Sequence, residues 1–444
     1  MRNHNQLEFQ FNTKYTQEGT LEEICEISNL TKAFEHVKRN KGAPGVDGIT
    51  IEEFQINALE NIKKIREEVL NWTYKPAPVR RVEIPKPDGK GMRLLGIPNV
   101  RERVLHMAIK MVLDPIVDST FSPNSYGFRP GRNQKQAVEA AREIVNEGNE
   151  YTVDIDLSKF FDRINHDRLI HRLKLYTKDT RVLRLIGMIL RSGIMSEGVI
   201  EIPTEGSVQG SPLSPLLSNI VLDELDKEIE RRNLKFCRFA DDCNIFVKSS
   251  RAAERVMKSI KNFIEKKLKL KVNEEKSKTA KADQVKFLGM TIVNGAIAIS
   301  KKALNKAMET IKNLIPRGTN ISAEQSMTII NKWYTGWFQY YKMTQYPSQL
   351  AALEAHIRRR LRARFIVQQK KRRHLCKKLI KLGVGKALAK KTVHSKHNTW
   401  KLSHTRALEQ AFSNKWFISR MKQQIYSNLR LPEWFMIEKW VKLS

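Results

Sequence analysis

Two adjacent aspartates, Asp241 and Asp242, stand in the middle of the otherwise apolar stretch FCRFADDCNIFV at residues 236–247. The apolar residues on either side predict two strands, so the aspartate pair would form the tip of a hairpin. A buried or half-buried carboxylate is costly unless a partner neutralises it. The pair is therefore either a solvated turn or a site for cations, and the rest of the sequence has to decide between them.

A second predicted strand carries further carboxylates. The stretch YTVDIDL at residues 151–157 alternates, with Asp154 and Asp156 on one face and apolar residues on the other. Hard oxygen ligands select Mg²⁺, which binds through one or two carboxylates together with substrate phosphates. Two such ions about 4 Å apart can hold the attacking and leaving oxygens of a phosphoryl transfer. The predicted chemistry is nucleotide addition at a 3′-hydroxyl, driven by positioning and charge neutralisation.

The composition indicates a polyanionic partner. The 444 residues include 80 Lys and Arg against 47 Asp and Glu, which gives a formal net charge of +33 and favours nucleic-acid binding. The length predicts two or three domains. The four cysteines form no C-x-x-C pair, which disfavours a zinc ribbon or a disulfide framework. Because no apolar stretch approaches the roughly 18 residues of a membrane span, we expect a cytoplasmic protein with no membrane partner.

The motifs along the chain resemble those of the bacterial group II intron-encoded reverse transcriptases, also called maturases. They occur in the family's order between residues 21 and 345, as NKGAPGVDG, RRVEIPKPDG, LLGIP, SYGFRPGR, VDIDLSKFFDRINHD, GSVQGSPLSPLLSNI, RFADD, LKVNEEKS, KFLGM and GWFQYY. The resemblance implies an α+β fold of the right-hand polymerase type. Fingers and palm with an antiparallel sheet would precede an α-helical thumb and a basic C-terminal DNA-binding region.

The resemblance also implies a division of the chain into regions. Residues 1–20 would form a polar N-terminal segment, and residues 21–299 the fingers and palm, with an N-terminal extension at 21–48. Residues 300–370 would form the helical thumb, or maturase (X) domain, and residues 371–444 a basic DNA-binding region. Many family members end in a zinc-dependent H-N-H endonuclease domain. Since no paired cysteines follow Cys376, we expect a form that lacks this domain.

A run of arginines marks the predicted thumb. No Asp or Glu occurs from Ala355 to Ala407. Ile357, Leu361 and Phe365 recur at i, i+4 and i+8, which predicts an amphipathic helix with one apolar face. We expect the other faces to form a dense cationic surface that contains Arg358, Arg359, Arg360, Arg362 and Arg364.

The resemblance assigns roles at the catalytic centre. Asp156, Asp241 and Asp242 match the catalytic ligands of two Mg²⁺ ions, whereas Asp154 matches no catalytic position and is expected to be structural. Lys276, in NEEKS, matches a lysine that donates a proton to the leaving pyrophosphate. The alternative for Lys276 is one more surface lysine among many.

The incoming deoxynucleotide has predicted contacts of its own. Lys86 and Arg93 lie on opposite strands of a predicted fingers hairpin and match the family's triphosphate contacts. Phe161 matches the steric gate, which collides with a ribonucleotide 2′-hydroxyl and so favours dNTPs. The neighbouring Phe160 is expected to pack in the core. The Q-G-S motif completes the group with Gln209 and Gly210.

Template and primer contacts are predicted in the SYGFRPGR loop, the KFLGM motif and the arginine-rich helix. The residues concerned are Arg129, Arg132, Phe287, Leu288, Gly289, Arg358 and Arg362. Two positions depart from the family's usual pattern. Phe239 replaces the tyrosine before Ala-Asp-Asp, and Ser211 replaces the second glycine of Q-G-G. We expect Ser211 to add a small side chain beside the nascent base pair.

The predicted function is that of an RNA-directed DNA polymerase that uses two Mg²⁺ ions to add dNTPs to a primer on an RNA template. It would also serve as a maturase in group II intron splicing and mobility, with intron RNA, a DNA primer and target DNA as partners. One alternative is a free-standing reverse transcriptase in repair or phage defence. Another is a non-catalytic RNA-binding splicing cofactor, against which the intact aspartates argue. An RNA-dependent RNA polymerase is disfavoured by Phe161.

Overall fold

The computed structural model describes residues 18–85, 91–196, 199–202, 205–207, 210–417 and 419. The predicted residues Lys86 and Gln209 lie outside this part of the chain, as do most of the polar N-terminal segment and the last 25 residues of the predicted DNA-binding region. The chain divides into two compact units, Met1–Lys281 and Ala282–Ser444.

Helices of the first unit begin at local capping signals. Thr20 forms a capping box with Glu23, and Asn133 forms one with Gln136. In both, the side-chain oxygen accepts a hydrogen bond from a backbone N–H that the first turn leaves unpaired. The α-helices of this unit are α1 Leu21–Ile24, α2 Ile27–Arg39, α3 Ile51–Ile56, α4 Ala58–Leu70, α5 Val100–Asp118, α6 Gln134–Asn146, α7 His166–Leu173, α8 Thr180–Leu190, α9 Ser214–Arg231 and α10 Ser250–Lys266.

The strands of the first unit form two four-stranded sheets within the described residues. Their bounds are β1 Val79–Pro85, β2 Met92–Ile97, β3 Tyr151–Ile155, β4 Ile194–Ser196, β5 Val199–Glu201, β6 Lys235–Phe239, β7 Asp242–Val247 and β8 Lys278–Lys281. One sheet has the order β2-β1-β4-β5, and the other has the order β6-β7-β3-β8. All pairings are antiparallel except β1 with β4. The predicted hairpin at residues 236–247 is thus confirmed as β6–β7, and the predicted fingers hairpin as β1–β2.

The second sheet is held by the core of the first unit. Val153, Ile155 and Ile245 are at most 1 % exposed and join an apolar cluster that includes α5 and α9. Helices α6 and α10 pack against β6 and β3. Because burial of apolar area drives this packing, the ends of β3 and β7 are set by the core.

The second unit combines a short hairpin with helices. It contains β9 Met290–Val293, β10 Ala296–Ile299, α11 Lys301–Leu314, α12 Ala323–Tyr341, α13 Pro347–Gln368, α14 Arg372–Lys381, α15 Lys386–His394, α16 Thr399–Leu402 and α17 Arg406–Ala411. Strands β9 and β10 pair antiparallel, and α11, α12 and α13 pack against one another. In the described part of the chain, no helix is long and apolar enough to cross a membrane.

The cationic surface predicted for α13 is wrong for three of its arginines, because Arg360, Arg362 and Arg364 are at most 8 % exposed. Arg360 donates to two carbonyls at the C-terminal end of α11, and Arg364 donates to three carbonyls in the loop that follows it. Arg362 donates to the carbonyl of Phe412. Helix ends leave carbonyls unpaired, so these arginines are drawn inward as hydrogen-bond donors.

Candidate active site

Strand β3 and the β6–β7 hairpin bring three aspartates to one end of the second sheet. In the antiparallel register of β3 and β7, Ile155 lies opposite Cys243. Continuing this register by one residue places Asp156 opposite Asp242. Asp241 occupies the turn that joins β6 to β7. The backbone therefore gathers the three predicted metal ligands at one end of the two central strands.

The charges at this end of the sheet are unbalanced toward the negative. Asp241 is exposed. Desolvation by the surrounding protein nevertheless raises the pKa of its carboxyl, and the carboxylate of Asp156 raises it further. The Arg93 guanidinium on β2 acts in the opposite direction and lowers the pKa of Asp241. A bound cation would relieve the repulsion between the two carboxylates. The oxygen ligands and their mutual repulsion therefore fit a divalent metal.

The aspartate side chains have separate partners in this structure. Among the described residues, no three His, Cys, Asp or Glu side chains converge as a ready-made metal site. The Asn244 amide donates to Oδ1 of Asp242 at 3.2 Å. Oδ2 of Asp156 lies 4.0 Å from Nζ of Lys276. The backbone is thus arranged for a shared site, while the side chains point to individual neighbours.

The NEEKS segment lies against the end of β3. The backbone N–H of Asp156 donates to Oγ of Ser277 at 3.0 Å, and the backbone N–H of Asn273 donates to the carbonyl of Asp156 at 2.8 Å. These bonds bring Lys276 beside the aspartates. Its side chain is 60 % exposed, so the ammonium group is open to an incoming substrate.

Asp154 lies one residue pair inside the sheet. It is half-buried, with Asn244 opposite it on β7 and Lys278 opposite it on β8. This position is flanked on both sides by strands, unlike that of Asp156. The arrangement agrees with the structural role that we predict for Asp154.

The two phenylalanines after β3 occupy different environments. Phe160 is 3 % exposed, which confirms its predicted place in the core. Phe161 begins a short 3₁₀ turn, is half-buried, and meets the Phe160 ring edge-on at a centroid distance of 5.3 Å. The Phe161 ring therefore packs on Phe160 and is still partly exposed to solvent, as a steric gate requires.

Gly210 of the Q-G-S motif lies close to strand β2 of the fingers hairpin. Gly210 has a φ of +127°, and a Cβ placed on it would lie 2.3 Å from the carbonyl oxygen of Gly96 on β2. Glycine is thus required at this position by protein packing as well as by its backbone conformation. Arg93, near the tip of the same hairpin, is exposed and lies opposite Ile84.

Ser211 does not lie where we expected it. Its side chain is 8 % exposed, and its Oγ is 2.9 Å from Nδ1 of His106 on α5. Burial lowers the pKa of His106 to about 3, so this histidine is neutral. The hydroxyl turns inward because a buried imidazole nitrogen needs a partner. Ser211 therefore supports the loop from inside instead of adding a side chain beside the nascent base pair.

Arg129 also departs from its predicted place at a template or primer phosphate. Its guanidinium donates to the carboxylate and carbonyl of Asp118 and to the carbonyls of Ser122 and Ser125. The side chain is only 5 % exposed. Arg129 therefore holds the SYGFRPGR loop together. Arg132 is half-buried and donates to the carbonyl of Pro123, and its phosphate contact stays a prediction.

In the second unit, the KFLGM and GWFQYY motifs contact each other. Leu288 and Gly289 form a tight turn with φ values of +52° and +82°. The Tyr340 hydroxyl donates to the carbonyl of Leu288 at 2.6 Å, and a Cβ on Gly289 would lie 2.7 Å from the Tyr341 hydroxyl. Phe287 is buried. Helix α12 therefore supports the turn for which we predict template or primer contacts.

The arginine-rich helix supplies the remaining predicted contacts. The Arg358 side chain is 18 % exposed and lies 3.7 Å from the Glu354 carboxylate. The Arg362 side chain is 9 % exposed and lies 3.5 Å from Glu409. Of the two, Arg358 retains more exposed surface for a nucleic-acid contact.

Two residues that support the turn at Ala240 and Asp241, called the aspartate turn below, were not predicted from the sequence. Arg238 is fully buried on β6, and Gly127 of the SYGFRPGR loop lies directly against Ala240. A charged residue in the apolar strand KFCRF was the available signal for Arg238. Nothing in the local pattern of the SYGFRPGR loop indicates which turn it contacts.

Comparison with known proteins places this chain in a family. Residues 84–292 match the family described as reverse transcriptase (RNA-dependent DNA polymerase), and residues 304–380 match the maturase-specific domain of group II introns. The chain belongs to the group II intron-encoded reverse transcriptases. This reverse transcriptase is an RNA-directed DNA polymerase with a maturase domain, and its family depends on divalent metal. The predicted α+β polymerase fold is confirmed for the reverse transcriptase domain.

Individual proteins are similar to this chain over part of its length. The reverse transcriptase is 31 % identical to Protein YkfC of Escherichia coli (strain K12), over 60 % of this chain and 80 % of that protein. It is 29 % identical to the group II intron-encoded protein LtrA of Lactococcus lactis subsp. cremoris, over 63 % of this chain and 58 % of that protein. A chain of a partial Cas6-RT-Cas1–Cas2 complex aligns with a TM-score of 0.36 and 26 % identity, over 55 % of this chain and 42 % of that chain.

Proposed function

We propose that this reverse transcriptase adds dNTPs to a DNA primer on an RNA template with two Mg²⁺ ions bound by Asp156, Asp241 and Asp242. The observation that carries the proposal is the β3–β7 register together with the β6–β7 turn. These two features bring the three residues to the same end of the sheet. When bound, the metal supplies charge neutralisation and lowers the pKa of the attacking hydroxyl. The protein supplies the positions of the reacting groups.

Residues around the aspartates have separate tasks in this proposal. Lys276 donates a proton to the leaving pyrophosphate, and the 4.0 Å distance from its Nζ to Oδ2 of Asp156 supports this role. Arg93 and Lys86 bind the triphosphate through charge-assisted hydrogen bonds. The half-buried ring of Phe161 occupies the space that a ribose 2′-hydroxyl would need. The proposed role of Arg93 is supported by its electrostatic interaction with Asp241, whose pKa it lowers.

Helix α12 of the second unit carries aromatic rings that are suited to binding RNA. The rings of Trp333, Trp337 and Tyr341 on α12 stack in a row, with centroid distances of 6.1 and 4.2 Å, and all three are half-exposed. Tyr334 and Phe338 are buried in the same helix. Stacked, partly open rings beside basic residues are typical of single-stranded nucleic-acid contacts. We propose that this thumb or maturase domain binds group II intron RNA, and that the basic region after residue 370 binds target DNA in the cytoplasm.

Primer extension on an RNA template with Mg²⁺ and dNTPs tests the polymerase proposal. The double variant Asp241→Ala/Asp242→Ala should lose extension, because it removes two of the three proposed ligands. The matched control is Asp154→Asn on β3, two residues before Asp156, and it should keep near wild-type activity. A double variant that extends primers as well as the wild type would contradict the proposed site.

Splicing assays separate the maturase from a free-standing reverse transcriptase. We expect the protein to accelerate self-splicing of the group II intron that encodes it at low Mg²⁺ concentration. The maturase-specific match at residues 304–380 favours this activity. If primer extension is normal and no group II intron RNA is bound or spliced, the free-standing alternative is correct.

A further inference from the structure

Arg238 is a buried hydrogen-bonding centre directly before the aspartate turn. Its side chain is 0 % exposed, and a guanidinium has five N–H donors. Each is matched by an acceptor within 3.0 Å. The five acceptors are Oδ1 and Oδ2 of Asp226, Oδ1 of Asn219, Oγ of Ser125 and the carbonyl oxygen of Ala240.

These acceptors come from three separate parts of the first unit. Asp226 and Asn219 lie on α9, and Ser125 lies in the SYGFRPGR loop. Ala240 belongs to the turn itself, and its carbonyl oxygen accepts from Nη1 of Arg238 at 2.8 Å. One side chain thus joins the helix, the loop and the turn that carries Asp241.

The turn held in this way has an unusual backbone. Ala240 has a φ of +57°, in the left-handed region that non-glycine residues rarely adopt. Such a conformation persists only where surrounding contacts impose it. Besides the bond from Arg238 to the Ala240 carbonyl, two backbone hydrogen bonds hold Arg238. Tyr126 of the SYGFRPGR loop donates to the Arg238 carbonyl, and the Arg238 N–H donates to the carbonyl of Asn124, directly before the loop, at 2.9 Å each.

Stability alone does not explain a buried arginine at this position. Replacing a buried ion pair with apolar residues of similar volume is often neutral or stabilising. We propose that Arg238 is a positioning residue, which fixes the turn at Ala240 and thereby the places of Asp241 and Asp242 for divalent cations. This inference rests on the proposed role of these aspartates as metal ligands.

The test is Arg238→Lys, studied in the full-length protein. A lysine keeps a positive charge beside Asp226, but its single ammonium group cannot also bond the Ala240 carbonyl and Ser125. Since a displacement of about 1 Å can cost about 100-fold in rate, we expect kcat for primer extension to fall about 10- to 100-fold. Binding of the primer–template, measured by fluorescence anisotropy, should be unchanged. Binding of Mn²⁺ to the enzyme–primer–template complex, measured by electron paramagnetic resonance, should weaken several-fold.

Arg172→Lys is the matched control. Arg172 also pairs with acidic residues of α9, at 3.4 Å from Asp223 and 3.3 Å from Glu224. It bonds no group of the turn among its described contacts. We expect wild-type kcat and Mn²⁺ affinity, even if this variant loses as much thermal stability as Arg238→Lys.

Each outcome decides the proposal. Wild-type kcat and Mn²⁺ affinity in folded Arg238→Lys would overturn it, and so would equal losses in Arg172→Lys. If Arg238→Lys does not fold, the paired replacement Arg238→Met/Asp226→Leu is measured by the same criteria. Failure of both variants to fold would overturn the positioning role, because the pair would then serve the fold as a whole. Failure of the wild type itself to extend primers would instead refute the proposed function.

Discussion

Gly127→Ala should displace the aspartate turn without touching an aspartate. A Cβ on Gly127 would lie 2.2 Å from the backbone nitrogen of Ala240 and 2.9 Å from the carbonyl carbon of Phe239. Non-bonded heavy atoms are comfortable at about 3.5 Å, so one of the two segments has to move by about 1 Å. Neither moves freely, because the Asn219 amide donates to the Gly127 carbonyl at 2.8 Å and Arg238 bonds the Ala240 carbonyl.

The cost follows from this displacement. A shift of about 1 Å in a catalytic group reduces the rate by about 100-fold, which corresponds to about 2.7 kcal/mol in the activation barrier. Overpacking at a buried site also destabilises the fold by about 1–3 kcal/mol. We therefore expect a folded protein with a modestly lower melting temperature and a kcat about 100-fold below the wild type.

Single-turnover primer extension at saturating dNTP and Mg²⁺ measures this loss, and urea denaturation measures the stability. Gly187→Ala is the control, because its added Cβ would lie 3.5 Å from the mobile end of Arg191, an ordinary contact distance. Gly187 is in the middle of α8, where alanine is favoured over glycine. A wild-type rate in Gly127→Ala would refute the claim that this loop positions the turn.

Three further predictions concern the gate, the thumb and the charge of the protein. Phe161→Ala should raise incorporation of rNTPs relative to dNTPs, since the half-buried ring no longer blocks the 2′-hydroxyl; unchanged sugar selectivity in competition assays would assign the gate elsewhere. Burial raises the pKa of Glu354 from its ordinary 4.5 to about 7. Its contribution to stability is therefore fully present below pH 4.5 and is lost as the pH rises through 7, by up to about 3 kcal/mol. The urea midpoint of the wild type should fall over this pH range, and that of Glu354→Gln should stay constant. The same pH dependence in both proteins would contradict the assignment of this effect to Glu354. RNA affinity should fall steeply with salt because a protein of net charge +33 releases counterions on binding, and a flat dependence measured by filter binding would argue against phosphate contacts.

Local sequence patterns predicted the elements that carry the site. The alternation in YTVDIDL and the apolar runs around Ala-Asp-Asp predicted β3 and the β6–β7 hairpin, both of which the structure contains. Strand periodicity depends only on neighbouring residues, so it is readable without tertiary information. The order of the motifs predicted the reverse transcriptase and maturase domains, which the family comparisons confirm.

Long polar side chains were the main failure of sequence reasoning. Arg129, Arg360 and Arg364 were expected at the surface, yet each is buried and donates to backbone carbonyls. Ser211 likewise bonds His106 in the interior. Which carbonyl or ring nitrogen lacks a partner is decided only when distant segments meet, and no local pattern records it.

The sequence by itself thus determined that Asp156 follows one strand, that Asp241 and Asp242 lie at the tip of a hairpin, and to which family the chain belongs. Only the tertiary structure decided what supports them. Arg238 joins α9, the SYGFRPGR loop and the aspartate turn across as many as 113 residues of chain. The reason is physical: periodicity and turn signals act between neighbours in sequence, whereas the five acceptors of a buried guanidinium come together only in the folded protein.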